Sequence, residues 1–186
     1  MAMMLTFARF ALIIPFIILF YTSWRWSLTL ALIIFIVAAI TDFLDGYVAR
    51  ARGEESVLGA ALDPLADKVL TVCATIILID IGQLGGFTVI GALIIVLREV
   101  WIAGLREAVV GQGGSLPVTK LAKWKTTFQF IAYAGLIAIV PGGFFSLFSV
   151  TGLQTIVMGL FWTSVVLTFW TGADYTVRAI SFLRRQ

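Results

Sequence analysis

"TTFQFIAYAGLIAIVPGGFFSLFSVTGLQTIVMGLFWTSVVLTFWTGA", from Thr126 to Ala173, contains 48 residues without an Asp, Glu, Lys or Arg. As one helix it would run about 72 Å at ~1.5 Å per residue, more than twice the ~30 Å hydrocarbon thickness of a bilayer. The chain must turn within it, and Pro141-Gly142-Gly143 is where the turn-forming residue types gather.

Apolar runs and breaks alternate in the same way over the rest of the chain. One run extends from Leu5 to Trp24 and carries only Arg9; a second extends from Trp26 to an acidic stretch near Arg50; a third extends from Val57 to Ile79. "DIGQLGG" (Asp80 to Gly86) interrupts, and a fourth run reaches Leu105. With the two runs divided at Pro141, the pattern predicts an all-α integral membrane protein of six transmembrane helices. It forms a single domain over residues 1–186, with Arg106 to Lys125 as a loop. "FYTSWRWS" offers no small-x-small cleavage site, so the first run is read as a retained helix.

Composition agrees. Of 186 residues, 61% are hydrophobic and 12% charged, with mean hydropathy +1.06, whereas a soluble domain is about 25% charged. There is no histidine, which excludes imidazole triads, ligands and proton shuttles. The single cysteine, Cys73, has no partner for a disulfide or a thiolate metal site and reads as a small apolar residue within a helix. Metal chemistry would fall to carboxylate oxygen, which suits hard ions such as Mg²⁺ or Mn²⁺.

The net charge of +3 is not that of a nucleic-acid surface, because the basic residues flank the apolar runs. With the N-terminus inside, twelve of the thirteen fall on the cytoplasmic side and only Arg25 on the other. Such a bias sets orientation in membranes and predicts cytoplasmic N- and C-termini.

Acidic residues concentrate in "TDFLDGYVARARGEESVLGAALDPLADK", Thr41 to Lys68. Asp42 and Asp45 lie three apart near the end of the second helix, and Asp63 and Asp67 four apart near the start of the third. Each spacing puts a pair on one helix face. The short connection makes the helices antiparallel neighbours, so the four carboxylates can converge near the cytoplasmic surface. Unpaired, each would cost about 2.5 to 3.5 kcal/mol at membrane depth. Two divalent cations would match them in formal charge and supply the paired-ion arrangement used in phosphoryl transfer. Gly46 and Gly59 remove side chains where a ligand or the facing helix comes close. The alternative is that the aspartates cap helix ends or pair with Arg50, Arg52 and Lys68.

The pattern Asp42-x₂-Asp45-Gly46-x₂-Ala49-Arg50-x₈-Gly59-x₃-Asp63-x₃-Asp67 places eight fixed positions within 26 residues. It resembles, without a gap, the motif of the CDP-alcohol phosphotransferase family. "LREVWIAGLRE" and "LPVTKLAKWKTTFQ" are similar to the bacterial phosphatidylglycerophosphate synthase branch. The chain opens "MAMMLTFARF" where that branch usually carries an Asn-Ile-Pro-type segment, although Thr6 and Arg9 match. The resemblance implies a six-helix, commonly dimeric protein of the bacterial inner membrane, working at the cytoplasmic face among membrane lipids. It implies transfer of a phosphatidyl group from CDP-diacylglycerol to an alcohol with release of CMP. Asp42, Asp45, Asp63 and Asp67 would then hold two divalent cations, Mg²⁺ or Mn²⁺, with Asp67 also taking the acceptor's proton. Gly46, Ala49, Arg50, Ser56 and Gly59 would line the cytidine diphosphate site.

Arg98, Arg106, Lys120, Lys123 and Lys125 gather on one side of the membrane. A cationic cluster suits an anionic acceptor such as glycerol 3-phosphate; the alternative is that these are orientation charges or contacts to anionic lipid. Arg98 falls inside a helix, where an orientation role is weakest. Glu99 and Glu107 are read as positioning or neutralising the arginines they follow, and Asp174 as an i, i+4 partner of Arg178. Two rival readings are the same chemistry with serine, inositol phosphate or phosphatidylglycerol as acceptor, and a divalent-cation transporter. Against the transporter, Leu28 to Ile40 and Val69 to Ile79 carry no charge that would continue an ion path.

Overall fold

The computed structural model describes the backbone of residues 2–52, 57–142 and 151–184, and the side chains of residues 11–41, 68–142 and 152–184. Six α-helices and no strand occur among the described residues: α1 Ala2–Phe20, α2 Ser27–Arg52, α3 Val57–Asp80, α4 Phe87–Gly111, α5 Lys120–Ala138 and α6 Thr151–Leu183.

The breaks lie where the residue types demand them. Gly82 and Gly86 take φ of 74° and 57° between α3 and α4, and Gly142 takes 90° after α5, conformations in which a Cβ is strained. One boundary differs from expectation. The segment Arg106 to Gly111 continues α4, and the loop narrows to residues 112–119. Charge alone does not stop a helix, and Val109 is buried in its last turns. The stop comes at Gly113, with φ 73°.

Among the described residues two helices, Phe87–Gly111 and Gly152–Leu183, are long and apolar enough to cross a membrane, and Ala11–Phe20 and Ser27–Thr41 are shorter apolar stretches. At 33 residues, α6 would be about 50 Å long and outlast a ~30 Å hydrocarbon layer. Leu93, Leu97 and Val100 of α4, with Val166, Phe169 and Trp170 of α6, are exposed. Lipid covers such surfaces at no cost, and packing between helices is left to shape and polar contacts.

The chain forms two compact units, Met1–Gln83 with Tyr133–Gln154, and Leu84–Ala132 with Thr155–Gln186. In the first, α1 packs on both α2 and α3. Phe16 and Phe35 are fully buried there, their rings 5.9 Å apart. Beyond the end of α1, the Tyr21 hydroxyl donates to Asp80 at the end of α3, at 2.8 Å. The two helices therefore finish on the same side. That hydrogen bond raises the Tyr21 phenol above its ordinary 10.0, so its contribution is complete below pH ~10 and is lost only as pH climbs through the raised value. Deeper in the unit, the hydroxyls of Thr75 and Tyr133 meet at 2.7 Å. Thr75 also donates to the carbonyl of Thr71, so Tyr133 donates to Thr75.

The second unit joins α4, the start of α5 and most of α6. Arg98 reaches Thr171 and Trp101 reaches Thr176, pairs 73 and 75 apart in sequence. A Cβ on Gly91 would meet Phe161 and Val165 at 3.1 Å. The nearly constant offset means that α4 and α6 run parallel along their whole contact. Gly91 leaves room for the Phe161 and Val165 side chains of α6, as small residues do between membrane helices. A Gly91→Leu substitution should overpack this contact and lower stability by about 1 to 3 kcal/mol, read as a lower thermal midpoint of the detergent-purified protein. Leucine at exposed Gly104, where a Cβ meets nothing within 4 Å, should leave the midpoint nearly unchanged.

Candidate functional site

Two sets of predicted residues belong to the two units. In the first, Asp42, Asp45, Gly46, Ala49 and Arg50 occupy the last turns of α2, and Gly59, Asp63 and Asp67 the first turns of α3. Their side chains lie outside the described residues, and Ser56 lies outside them altogether. The backbone still gives a register. Asp42 stands ten residues before Arg52 at the end of α2, and Asp67 ten residues after Val57 at the start of α3. Asp45 and Asp63 stand seven and six residues from the same ends. Along each axis the acids thus occur at matched depths of about 10 and 15 Å from the connection. Among the described residues no group of three or more His, Cys, Asp or Glu side chains could hold a metal. Cys73 is half-buried in α3.

The second set is described in full. Arg98 donates from Nη1 to Glu99 at 3.4 Å and from Nη2 to Thr171 at 3.2 Å. Its guanidinium lies 5.8 Å from the centre of the Tyr175 ring, within cation–π range. Lys125 of α5 donates to the same Glu99 oxygen and is only 1% exposed. Glu99 thus joins two cations from two helices, each of the three side chains being no more than 15% exposed. Gly172 makes this possible from α6: a Cβ there would lie 3.0 Å from Arg98 Cγ, so the arginine stem rests on bare backbone. Arg98 Nε and Gln129 Oε1 are two of the four buried side-chain atoms that have no hydrogen-bond partner among the described residues. Gln129 is one turn beyond Lys125 on the same face of α5.

Of the five predicted cations, then, Arg98 and Lys125 are brought together, while Arg106, Lys120 and Lys123 are exposed. Glu99 neutralises Arg98, as its position implied, and also Lys125. Glu107 is exposed. Asp174 accepts from Arg178 at 3.0 Å, the expected i, i+4 pair. Sequence reasoning missed Thr171, Gly172, Tyr175 and Gln129. The available signal was a polar line, Ser164, Thr168, Thr171 and Tyr175, recurring every three or four residues through an otherwise apolar helix; all four are buried.

Comparison with known proteins places these observations in context. Residues 1–170 match the family model described as CDP-alcohol phosphatidyltransferase. The chain is 35% identical to a CDP-diacylglycerol–glycerol-3-phosphate 3-phosphatidyltransferase of Cereibacter sphaeroides, over 86% of this chain and 85% of the relative. It is 36% identical to the protein of the same description in Rickettsia typhi, over 92% of both chains. A Haemophilus influenzae protein so described is 40% identical over 72% of each.

Removing the Glu99 charge leaves buried Lys125 without this counter-ion, and breaking a buried pair on one side costs about 3 to 5 kcal/mol. Glu99→Gln should therefore lower the thermal midpoint of the purified protein sharply. Glu107→Gln, on an exposed side chain, should change stability by no more than about 0.5 kcal/mol.

Proposed function

The chain belongs to the CDP-alcohol phosphatidyltransferase family, and from that premise we propose that it transfers the phosphatidyl group of CDP-diacylglycerol to glycerol 3-phosphate, giving phosphatidylglycerophosphate and CMP. The observation that carries this reading is the similarity to enzymes of that description across nearly the full length of both chains. The matched register of two aspartate pairs on α2 and α3 supports the chemistry.

The acceptor hydroxyl attacks the phosphorus that bears the diacylglycerol. A phosphorus–oxygen bond forms to the acceptor, the bond to the CMP oxygen breaks, and CMP leaves with the electron pair. Asp67 accepts the hydroxyl proton, for which it needs to lie within about 2.6 to 3.2 Å. Asp42, Asp45, Asp63 and Asp67 form an all-carboxylate donor set, the oxygen chemistry that hard divalent ions prefer, and they would hold two Mg²⁺ or Mn²⁺. When bound, such ions offset the charge of the diphosphate and of the transition state. Gly46, Ala49, Arg50, Ser56 and Gly59 line the cytidine diphosphate site.

Arg98 and Lys125 bind the acceptor's phosphate, with Arg106, Lys120 and Lys123 contributing to the field that draws it in. The unpartnered Nε of Arg98 supports this role. A buried guanidinium donor with no protein acceptor is costly, and a phosphate oxygen satisfies it with a charge-assisted bond. The bias of basic residues to one side of the apolar runs supports six membrane-crossing helices with cytoplasmic termini, and with them chemistry at the inner face of the bacterial plasma membrane. The working form is a homodimer.

Three measurements test this reading. Purified protein with CDP-diacylglycerol, glycerol 3-phosphate and Mg²⁺ should release CMP and form phosphatidylglycerophosphate; chelation should stop the reaction, and free glycerol should be a poor substitute. Asp67→Asn should abolish turnover while largely sparing binding of CDP-diacylglycerol, and near-normal turnover would remove Asp67 from the base role. Arg98→Ala should raise KM for glycerol 3-phosphate roughly 10- to 100-fold, the worth of a hydrogen bond to a charged group, with KM for CDP-diacylglycerol little changed.

A further inference from the structure

Tyr175 is fully buried in α6 and has no part in the chemistry above, yet contacts from three parts of the second unit converge on it. Its hydroxyl accepts from the backbone N–H of Thr119 at 2.8 Å and donates to the carbonyl of Pro117 at 3.0 Å. Thr119 is the residue before α5, and its own hydroxyl accepts from the N–H of Ala122 at 3.2 Å, the bond of a helix N-cap. The phenol therefore holds the capping residue from which α5 begins. Its ring meanwhile faces the Arg98 guanidinium. The contacts close a circuit: Tyr175 to Thr119, Thr119 to the first turn of α5, Lys125 to Glu99, Glu99 to Arg98, and Arg98 to the Tyr175 ring.

We propose that Tyr175 is a positioning residue for acceptor binding, whose hydroxyl fixes the start of α5 and hence the reach of Lys125, and whose ring fixes the plane of Arg98. Two cations must present donors to one phosphate from different helices, so both need a common reference. A tyrosine supplies it because one rigid side chain with two χ angles carries a hydrogen-bonding tip and a π face. This inference rests on the assignment of Arg98 and Lys125 to the acceptor's phosphate.

The hydroxyl and the ring can be tested separately. Tyr175→Phe keeps the face toward Arg98 and removes the hold on Thr119; Tyr175→Leu removes both. With the full-length enzyme in detergent or proteoliposomes, Tyr175→Phe should raise KM for glycerol 3-phosphate about 3- to 10-fold, the worth of one net hydrogen bond. Tyr175→Leu should raise it further, and neither should move KM for CDP-diacylglycerol. Hydrogen exchange at the Thr119 amide, measured without substrate, should accelerate in both variants. If both Michaelis constants move together, or only kcat falls, Tyr175 merely supports the fold and the proposal is overturned. An active wild type whose KM for glycerol 3-phosphate is unmoved in both variants overturns this proposal alone. A wild type that releases no CMP in response to glycerol 3-phosphate overturns the functional reading and the acceptor role with it, and Thr119 exchange then still reports whether the hydroxyl holds the loop.

Discussion

Ionised side chains inside an apolar helical protein must find their partners within the protein, since lipid offers none. Among the described residues, that constraint is met by the contacts of Arg98, Glu99 and Lys125. Glu99 meets Lys125 of α5, and its helix neighbour Arg98 meets Thr171 and the Tyr175 ring of α6. Each pairing fixes the rotation of a helix as well as its depth. Apolar packing alone fixes neither, because a leucine facing lipid and a leucine facing a neighbour differ little in free energy. The parallel register of α4 and α6 is accordingly carried by a glycine contact at Gly91 and by polar contacts at Arg98 and Trp101.

Local backbone choices supply the room these contacts need. Gly172 lets an arginine stem lie against α6, and Gly91 lets two helices approach. The loop of residues 112–119 is short, turned by Gly113 and tied at its end by Tyr175, so α5 begins at a defined place. Lys125 follows one and a half turns later, with little freedom left in where its ammonium falls. A lysine stem carries considerable rotamer entropy, which the fixed helix start and the Glu99 carboxylate restrict in advance.

The helices were legible in the sequence because their signal is cumulative. Long charge-free runs, interrupted at Asp80 to Gly86 and at Pro141, leave few alternatives for a chain that must satisfy its own backbone. The aspartate motif was equally legible, since spacings of three and four are readable from residue numbers alone. The end of α4 was misplaced because Arg106 and Glu107 look like surface residues, and nothing in their charge says whether the helix stops; buried Val109 and the glycines after it decide. Tyr175 and Gly172 were harder still. Their roles arise from contacts 56 and 73 or more residues away in sequence, and periodicity within α6 marks only a polar face, not what that face meets.

The same difference separates the two kinds of charge in the cationic cluster. Counted along the sequence, Arg98, Arg106, Lys120, Lys123 and Lys125 are equivalent, and all would satisfy an orientation rule. Orientation requires only that a positive charge remain at the water's edge, and Arg106, Lys120 and Lys123 are exposed. It gives no reason to bury a lysine to 1% exposure or to leave a guanidinium Nε without an acceptor. Burial on that scale opposes the charged state and persists only where the group's position matters more than its cost. Glu99 offsets part of that cost for Lys125, and in the proposed function the acceptor's phosphate would offset the rest for Arg98. On the acceptor role proposed above, binding energy held in this way would serve an alcohol that carries a phosphate rather than a neutral one.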